Sequence, residues 1–347
     1  MSDNDTRLRL SPQVNISRST AARMWVVLSC AFLAALQSAL SDYGISMAVA
    51  LAALIAAVLS ELAVTYRAHG FGKIRDGSAA ASALVLALLL PNHINPVYAA
   101  MGAAFAVVVV KHSFGGLGSN WMNPALGGWL FIRFSWPLSF AGALEGSHDY
   151  FSPVGSAAGQ AISGFLNRTV FQFLSTVLPA GYIDLFASKP PGIIADRAVL
   201  VIILGVIFIA AFQISRSWLS ILYLAVFGFL VRMLGDVSSG GVLWNGDVLL
   251  ALFSGGTLVT AFILIADPTS GAKSAPGNAV LAILAAILGF AFRYWGDAFY
   301  GCFYAVALIN AFTPLLCKAE RFLLYSGSGG IIHRAFQGSR AFQGRRA

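Results

Sequence analysis

Long apolar runs recur from residue 23 to residue 316, broken by short stretches of glycine, proline and charge. "ALVLALLLP" (Ala83 to Pro91) and "LVTAFILIA" (Leu258 to Ala266) are typical. A helix crossing the hydrocarbon core needs roughly 20 mostly apolar residues, and many of the runs approach that length. Lipid offers the backbone no hydrogen bonds, so each run has to satisfy its own as a helix. Two soluble domains in 347 residues are excluded by the charge content. Only 10% of residues are charged and 58% are hydrophobic, where an ordinary globular chain is about a quarter charged. The expected fold class is an all-α polytopic membrane protein.

Ten transmembrane helices are predicted, near 23–40, 44–66, 77–91, 96–111, 119–135, 197–215, 217–234, 246–266, 277–293 and 297–316. The third and fourth are short enough to be tilted or broken. Residues 1–22 read as a polar, basic cytoplasmic segment and not as a cleaved signal. Residues 23–135 hold the first five helices, 136–196 a large outer loop, 197–316 the second five, and 317–347 a basic tail. In the loop, Ile162, Phe165, Leu166, Phe171, Leu174 and Leu178 recur at roughly helical spacing, as in a helix lying at the interface.

Sixteen of the 22 lysines and arginines fall on the side shared by both ends of a ten-span chain. The excess of positive charge places both termini in the cytoplasm, in a bacterial inner membrane. It accounts for most of the net charge of +8. Anionic lipid is the expected partner of the tail, which repeats R-A-F-Q-G, and nucleic acid is not. The cysteines (Cys30, Cys302, Cys317) are scattered, without C-x-x-C, so no metal site or disulfide framework is expected.

An odd number of spans per half inverts the second half relative to the first, and inverted repeats place ligand sites where the halves meet. "GSAAASALVLALLLP" and "SGGTLVTAFILIADP", the third and eighth spans, echo one another. The most unusual stretch is "KHSFGGLGSNWMNPALGG", at the cytoplasmic mouth of the fifth span. Gly115, Gly116 and Gly118 let backbone approach a ligand closely. Asn120 and Asn123 offer donors and acceptors suited to the edge of a planar heterocycle. The plainer reading is a helix start, with Asn120 or Asn123 as cap and Pro124 in the first turn. Ionisable or polar groups in the apolar slab mark ion pathways; here these are Glu61, Asp247 and Asn310. Glu61 and Asp247 lie near predicted interfaces, where snorkelling or capping also explains them.

The F-G-G-x-G-x-N-x-x-N-P-A block, with "LLLPNHINP" before it and "ADPTSGAKSAPG" and "LINAFTPLLCK" after it, resembles the RnfD/NqrB family over nearly the whole chain, and its length looks more like RnfD. That resemblance implies a membrane subunit of an ion-translocating ferredoxin:NAD⁺ oxidoreductase complex, coupled to Na⁺ or H⁺. It implies a non-covalent flavin (riboflavin or FMN) near Asn120 and Asn123, with the glycines shaping the pocket. It also implies a covalent FMN on a threonine of an S-G-A-T element in the outer loop. There the chain departs from the pattern, because the threonine position falls on Pro190 and the nearest hydroxyl is Ser188. "DPTSGAK" lies on the cytoplasmic side and is not that element. The subunit is not catalytic alone. With no nucleotide-binding glycine motif after a strand and no cluster cysteines, partner subunits are expected to supply the NAD(H) site, the iron–sulfur clusters and a further flavin. The alternatives are a channel or transporter, or a structural anchor without flavin.

Overall fold

The computed structural model describes residues 20–69, 76–113, 115, 116, 120, 122–143, 157–169, 180–186, 192–211, 217–237, 240–267, 271, 272 and 274–325. Among these the secondary structure is helical, apart from one isolated bridge between Pro91 and Ile193. The helices are α1 (Thr20–Ser41), α2 (Ile45–His69), α3 (Ser78–Leu89), α4 (Pro96–Phe105), α5 (Pro124–Ser135), α6 (Ala157–Thr169), α7 (Ala180–Phe186), α8 (Val199–Ala211), α9 (Ser217–Leu234), α10 (Val248–Phe253), α11 (Thr257–Val259), α12 (Ala275–Trp295) and α13 (Gly301–Tyr325). Two of them run on as wide-turned π-helices: α4 through Ala106–His112 and α11 through Thr260–Leu264.

Among the described residues, five helices are long and apolar enough to cross a membrane: Ala21–Ser41, Ile45–Tyr66, Ser217–Leu234, Ala275–Trp295 and Gly301–Ala319. Two shorter apolar helices pack against these: Ser78–Leu89 against α1 and α2, and Pro96–His112 against α2. The chain is thus a multi-pass membrane protein. α3 lies at the centre, with ten of its twelve residues buried. A helix that is apolar all round has to be covered on every side, and α1, α2 and α5 cover this one.

Two expectations need correction. The predicted eighth span, 246–266, is not one helix. It breaks at Ser254–Gly256, where Gly255 (φ +60°) and Gly256 (φ +63°) take left-handed backbone. The fifth begins at Pro124 and not near 119, because Asn123 caps it and Pro124 takes the first position. Of the interfacial helix, Ala157–Thr169 forms and exposes Ile162 and Phe165; Phe171, Leu174 and Leu178 lie outside the described residues.

Sequentially distant pieces meet at the end of α3. Ile194 N–H donates to Leu90 O (2.9 Å) and Asn92 N–H to Gly192 O (3.4 Å). The segment that leads into α8 is thereby fastened to the first group of helices.

Candidate functional site

The glycine-rich stretch begins as the exit from a π-helix. Gly115 (φ +105°) and Gly116 (φ +91°) lie in the left-handed region. Their N–H groups donate to His112 O (3.2 Å) and Lys111 O (3.0 Å), carbonyls that the helix end would leave unpaired. Gly118 lies outside the described residues. Asn120 and Asn123 are both buried, at 7% and 8% exposure.

Asn123 does two things at once. Its Oδ1 accepts from Ala125 N–H (3.0 Å) and caps α5, while its Nδ2 donates to Asp267 Oδ2 (2.9 Å). The cap expected on physical grounds is therefore real, and the same side chain joins the two motif loops. Asn120 Oδ1, in contrast, is buried with no hydrogen-bond partner among the described residues. A buried amide oxygen left unpaired costs about 1–3 kcal/mol. Along α5, Val110, Met122, Gly127, Leu130, Phe131 and Phe134 line an open apolar groove of about 500 Å³, which neither Asn120 nor Asn123 lines.

The three ion-pathway candidates occupy different settings. Glu61 does not snorkel; it is 2% exposed. Its Oε1 accepts from Lys111 Nζ (2.8 Å) and its Oε2 is 2.8 Å from His112 Nε2. Asp247 caps α10 through Leu250 N–H (3.0 Å) and accepts the Tyr182 hydroxyl. Burial, and then that hydrogen bond, push the Tyr182 phenol well above its ordinary pKa. Asn310 is buried with Nδ2 unpartnered, and it lines a small cavity of about 20 Å³ with Asn278 and Gly271. That space suffices for one water. Ser188 lies outside the described residues. The structure does not gather these residues into one pathway.

Several charged residues were legible in the sequence only as contributions to net charge. Asp196 is 3% exposed and accepts Gly255 and Gly256 N–H (2.9 Å each). Arg293 donates to Ala251 O (2.8 Å), Ser254 O (2.9 Å) and Thr257 Oγ1 (2.7 Å). Together they cap both sides of the break between α10 and α11, satisfying backbone that lipid cannot. Arg133 donates to the Tyr304 hydroxyl (2.9 Å) and Asp297 (3.2 Å), and lies over the rings of Phe140 (5.0 Å) and Tyr300 (5.4 Å).

Comparison with known proteins places this geometry. The D component of the proton-translocating ferredoxin:NAD(+) oxidoreductase complex of Clostridium ljungdahlii is 27% identical over 311 residues, covering 89% of this chain and 92% of that one. The D component of the Na(+)-translocating ferredoxin:NAD(+) oxidoreductase complex of Acetobacterium woodii is 26% identical, covering 93% and 95%. The D component of an ion-translocating oxidoreductase complex of Pseudomonas paraeruginosa is 30% identical, covering 70% and 73%. Residues 7–322 match the NQR2, RnfD, RnfE family. By that match, which spans both motif loops, the chain belongs to the NQR2, RnfD, RnfE family.

Proposed function

We propose that this chain is the flavin-carrying membrane subunit of an Rnf-type complex, passing electrons between ferredoxin and NAD(H) while ions cross the membrane. The observation that carries the reading is the 2.9 Å bond from Asn123 to Asp267, next to the orphaned oxygen of Asn120. The edge of a flavin ring presents carbonyl oxygens and an N–H. The unsatisfied acceptor on Asn120 and the amide of Asn123 match such an edge in chemistry. Asn120, Asn123 and Asp267 would hold the flavin without a covalent bond, and the left-handed Gly115 and Gly116 would shape the approach. The flavin supplies electron transfer when bound; these residues orient it and keep water from its ring. With Pro190 at the threonine position, the nearest hydroxyl for a covalent FMN is Ser188, with Thr169 and Thr176 farther upstream.

The same reading holds that ten transmembrane segments form two inverted groups of five, residues 23–135 and 197–316, flanking the outer loop 136–196, with residues 1–22 and the tail 317–347 in the cytoplasm. Internal correspondences support it. Gly77 (φ +68°) precedes Ser78 at the start of α3 as Gly256 (φ +63°) precedes Thr257 at the start of α11. Lys111, ending the fourth segment, donates to Ser78 Oγ (2.7 Å) as Arg293, near the end of the ninth, donates to Thr257 Oγ1 (2.7 Å). Partner subunits supply the NAD(H) site, the clusters and a further flavin; anionic lipid meets the tail.

The test is the flavin content of the chain purified with its partners, read by intact mass and by flavin released on denaturation. Released flavin without added mass supports the reading. A mass excess of one FMN adds a covalent site, to be mapped against Ser188. No flavin of either kind leaves a channel or an anchor subunit.

A further inference from the structure

Glu61, Lys111 and His112 play no part in the flavin reading, and with Ser78 and Asp76 they form a connected acid–base cluster inside the bundle. Lys111 Nζ donates to Glu61 Oε1 (2.8 Å) and Ser78 Oγ (2.7 Å), and Ser78 Oγ donates to Asp76 Oδ1 (2.7 Å). His112 Nε2 closes the other carboxylate oxygen at 2.8 Å. The Lys111 and Glu61 side chains are 2% and 3% exposed, against 13% for His112. Neighbouring residues normally diverge around a helix. On the wide turn of the π-helix Lys111 and His112 both reach one carboxylate, and such turns recur at functional sites.

We propose that this cluster is a proton-binding site, with His112 as the exchanging group and Glu61 as the acceptor, and that it excludes Na⁺. A hard metal cation is held by several bare oxygens. Here Glu61 Oε1 and Ser78 Oγ already surround the Lys111 ammonium, a tethered monovalent cation in the place an alkali ion would take, and Glu61 Oε2 is held by the imidazole. A proton needs no such cage. His112, the most exposed of the three, is the one that water reaches. When a proton reaches Nδ1 of His112 from water, its Nε2–H bond breaks as an O–H bond forms on Glu61 Oε2. The imidazole is left neutral, one proton has been gained, and the Lys111 charge is balanced through Ser78 by Asp76.

Among the described side chains, the charged groups on the packed elements are Glu61 from α2, Asp76 from the turn before α3, and Lys111 and His112 themselves. α3 and α4 carry no charge, and α5 carries only Arg133 near its other end. The cluster is packed against the helix that Asn123 starts. A Cβ at Gly127 would lie 2.6 Å from Val110 Cγ2, and Gly127 N–H donates to Asn123 O (3.0 Å). Proton occupancy at Lys111–His112 is thus set one residue from the contact with α5.

The test is a pH titration of the intact, purified membrane complex followed by infrared spectroscopy of the carboxylic acid C=O band, at low and at high Na⁺. A band that grows on acidification, and that Glu61→Gln removes, is the expected result. Its midpoint stays put between the two Na⁺ concentrations and moves by about one pH unit or more in His112→Gln. That variant keeps a hydrogen-bond donor toward Glu61, and the Na⁺ arm needs no variant. A midpoint that falls as Na⁺ rises would show the two cations sharing the site and overturn the proposal. So would a midpoint unmoved in His112→Gln, or the absence of any titrating band that depends on Glu61.

Discussion

At the scale of single residues, the sharpest consequences come from side chains with two partners. Asn123→Ala removes the cap of α5, worth about 1 kcal/mol, and the bond to Asp267. A several-fold loss of releasable flavin and a small drop in melting temperature are expected. Asn123→Asp keeps the cap but sets two carboxylates against each other, so like-charge repulsion is expected to lower flavin content further than alanine does. Equal flavin in the aspartate variant and the parent would remove Asn123 from the site. Lys111→Met leaves Glu61 with only His112, and breaking a buried pair from one side costs about 3–5 kcal/mol. The double variant Lys111→Met, Glu61→Gln is expected to regain much of that loss, because no uncompensated charge remains; thermal unfolding of the purified complex measures both.

At the scale of elements, the break between α10 and α11 is the feature on which the second group of helices depends. Gly256 has φ +63°, and a Cβ there would lie 2.4 Å from the Phe303 ring and 2.8 Å from Ile193 Cδ1. Overpacking and left-handed backbone together make Gly256→Ala costly, by about 2–4 kcal/mol. Gly116 has φ +91° but nothing within 4 Å of the same position, so Gly116→Ala should cost only about 1 kcal/mol of backbone strain. The ratio of the two losses in unfolding temperature checks whether packing or backbone dominates at the break. Asp196→Ala would orphan two buried N–H groups at about 1–3 kcal/mol each, and Asp196→Asn, which keeps one acceptor, should lose less. Equal losses would show that charge and not hydrogen bonding matters there.

At the scale of the whole molecule, the sidedness expected from sixteen basic residues against six is open to direct labelling. In a chain freed of its three cysteines, His93→Cys, in an exposed turn after α3, is expected to react with a membrane-impermeant maleimide in intact cells. Ser113→Cys, at the exposed end of the π-helix after α4, is expected to react only after lysis. The reverse pattern would turn the bundle over and place the Asn123 site on the outer face.

The sequence alone determined where the helices are, because the signal is local. Apolar run length reports how long a segment must hydrogen-bond to itself, and asparagine–proline pairs such as Asn95–Pro96 and Asn123–Pro124 mark where it starts. The motif block fixed the family for the same reason, since its residues are contiguous. The Ser254–Gly256 break was also legible as a glycine pair inside an apolar run, yet continuous hydropathy masked it. What only the tertiary structure decided is how the helices are rotated and which polar groups they trap. Glu61 and Lys111 are 50 residues apart, and Asn123 and Asp267 144. In the sequence each looks like an interfacial charge, a cap or a turn. A charge at the end of an apolar run is compatible with snorkelling to water or with burial against a partner, and only the packing of another helix over it removes the water and makes the partner obligatory.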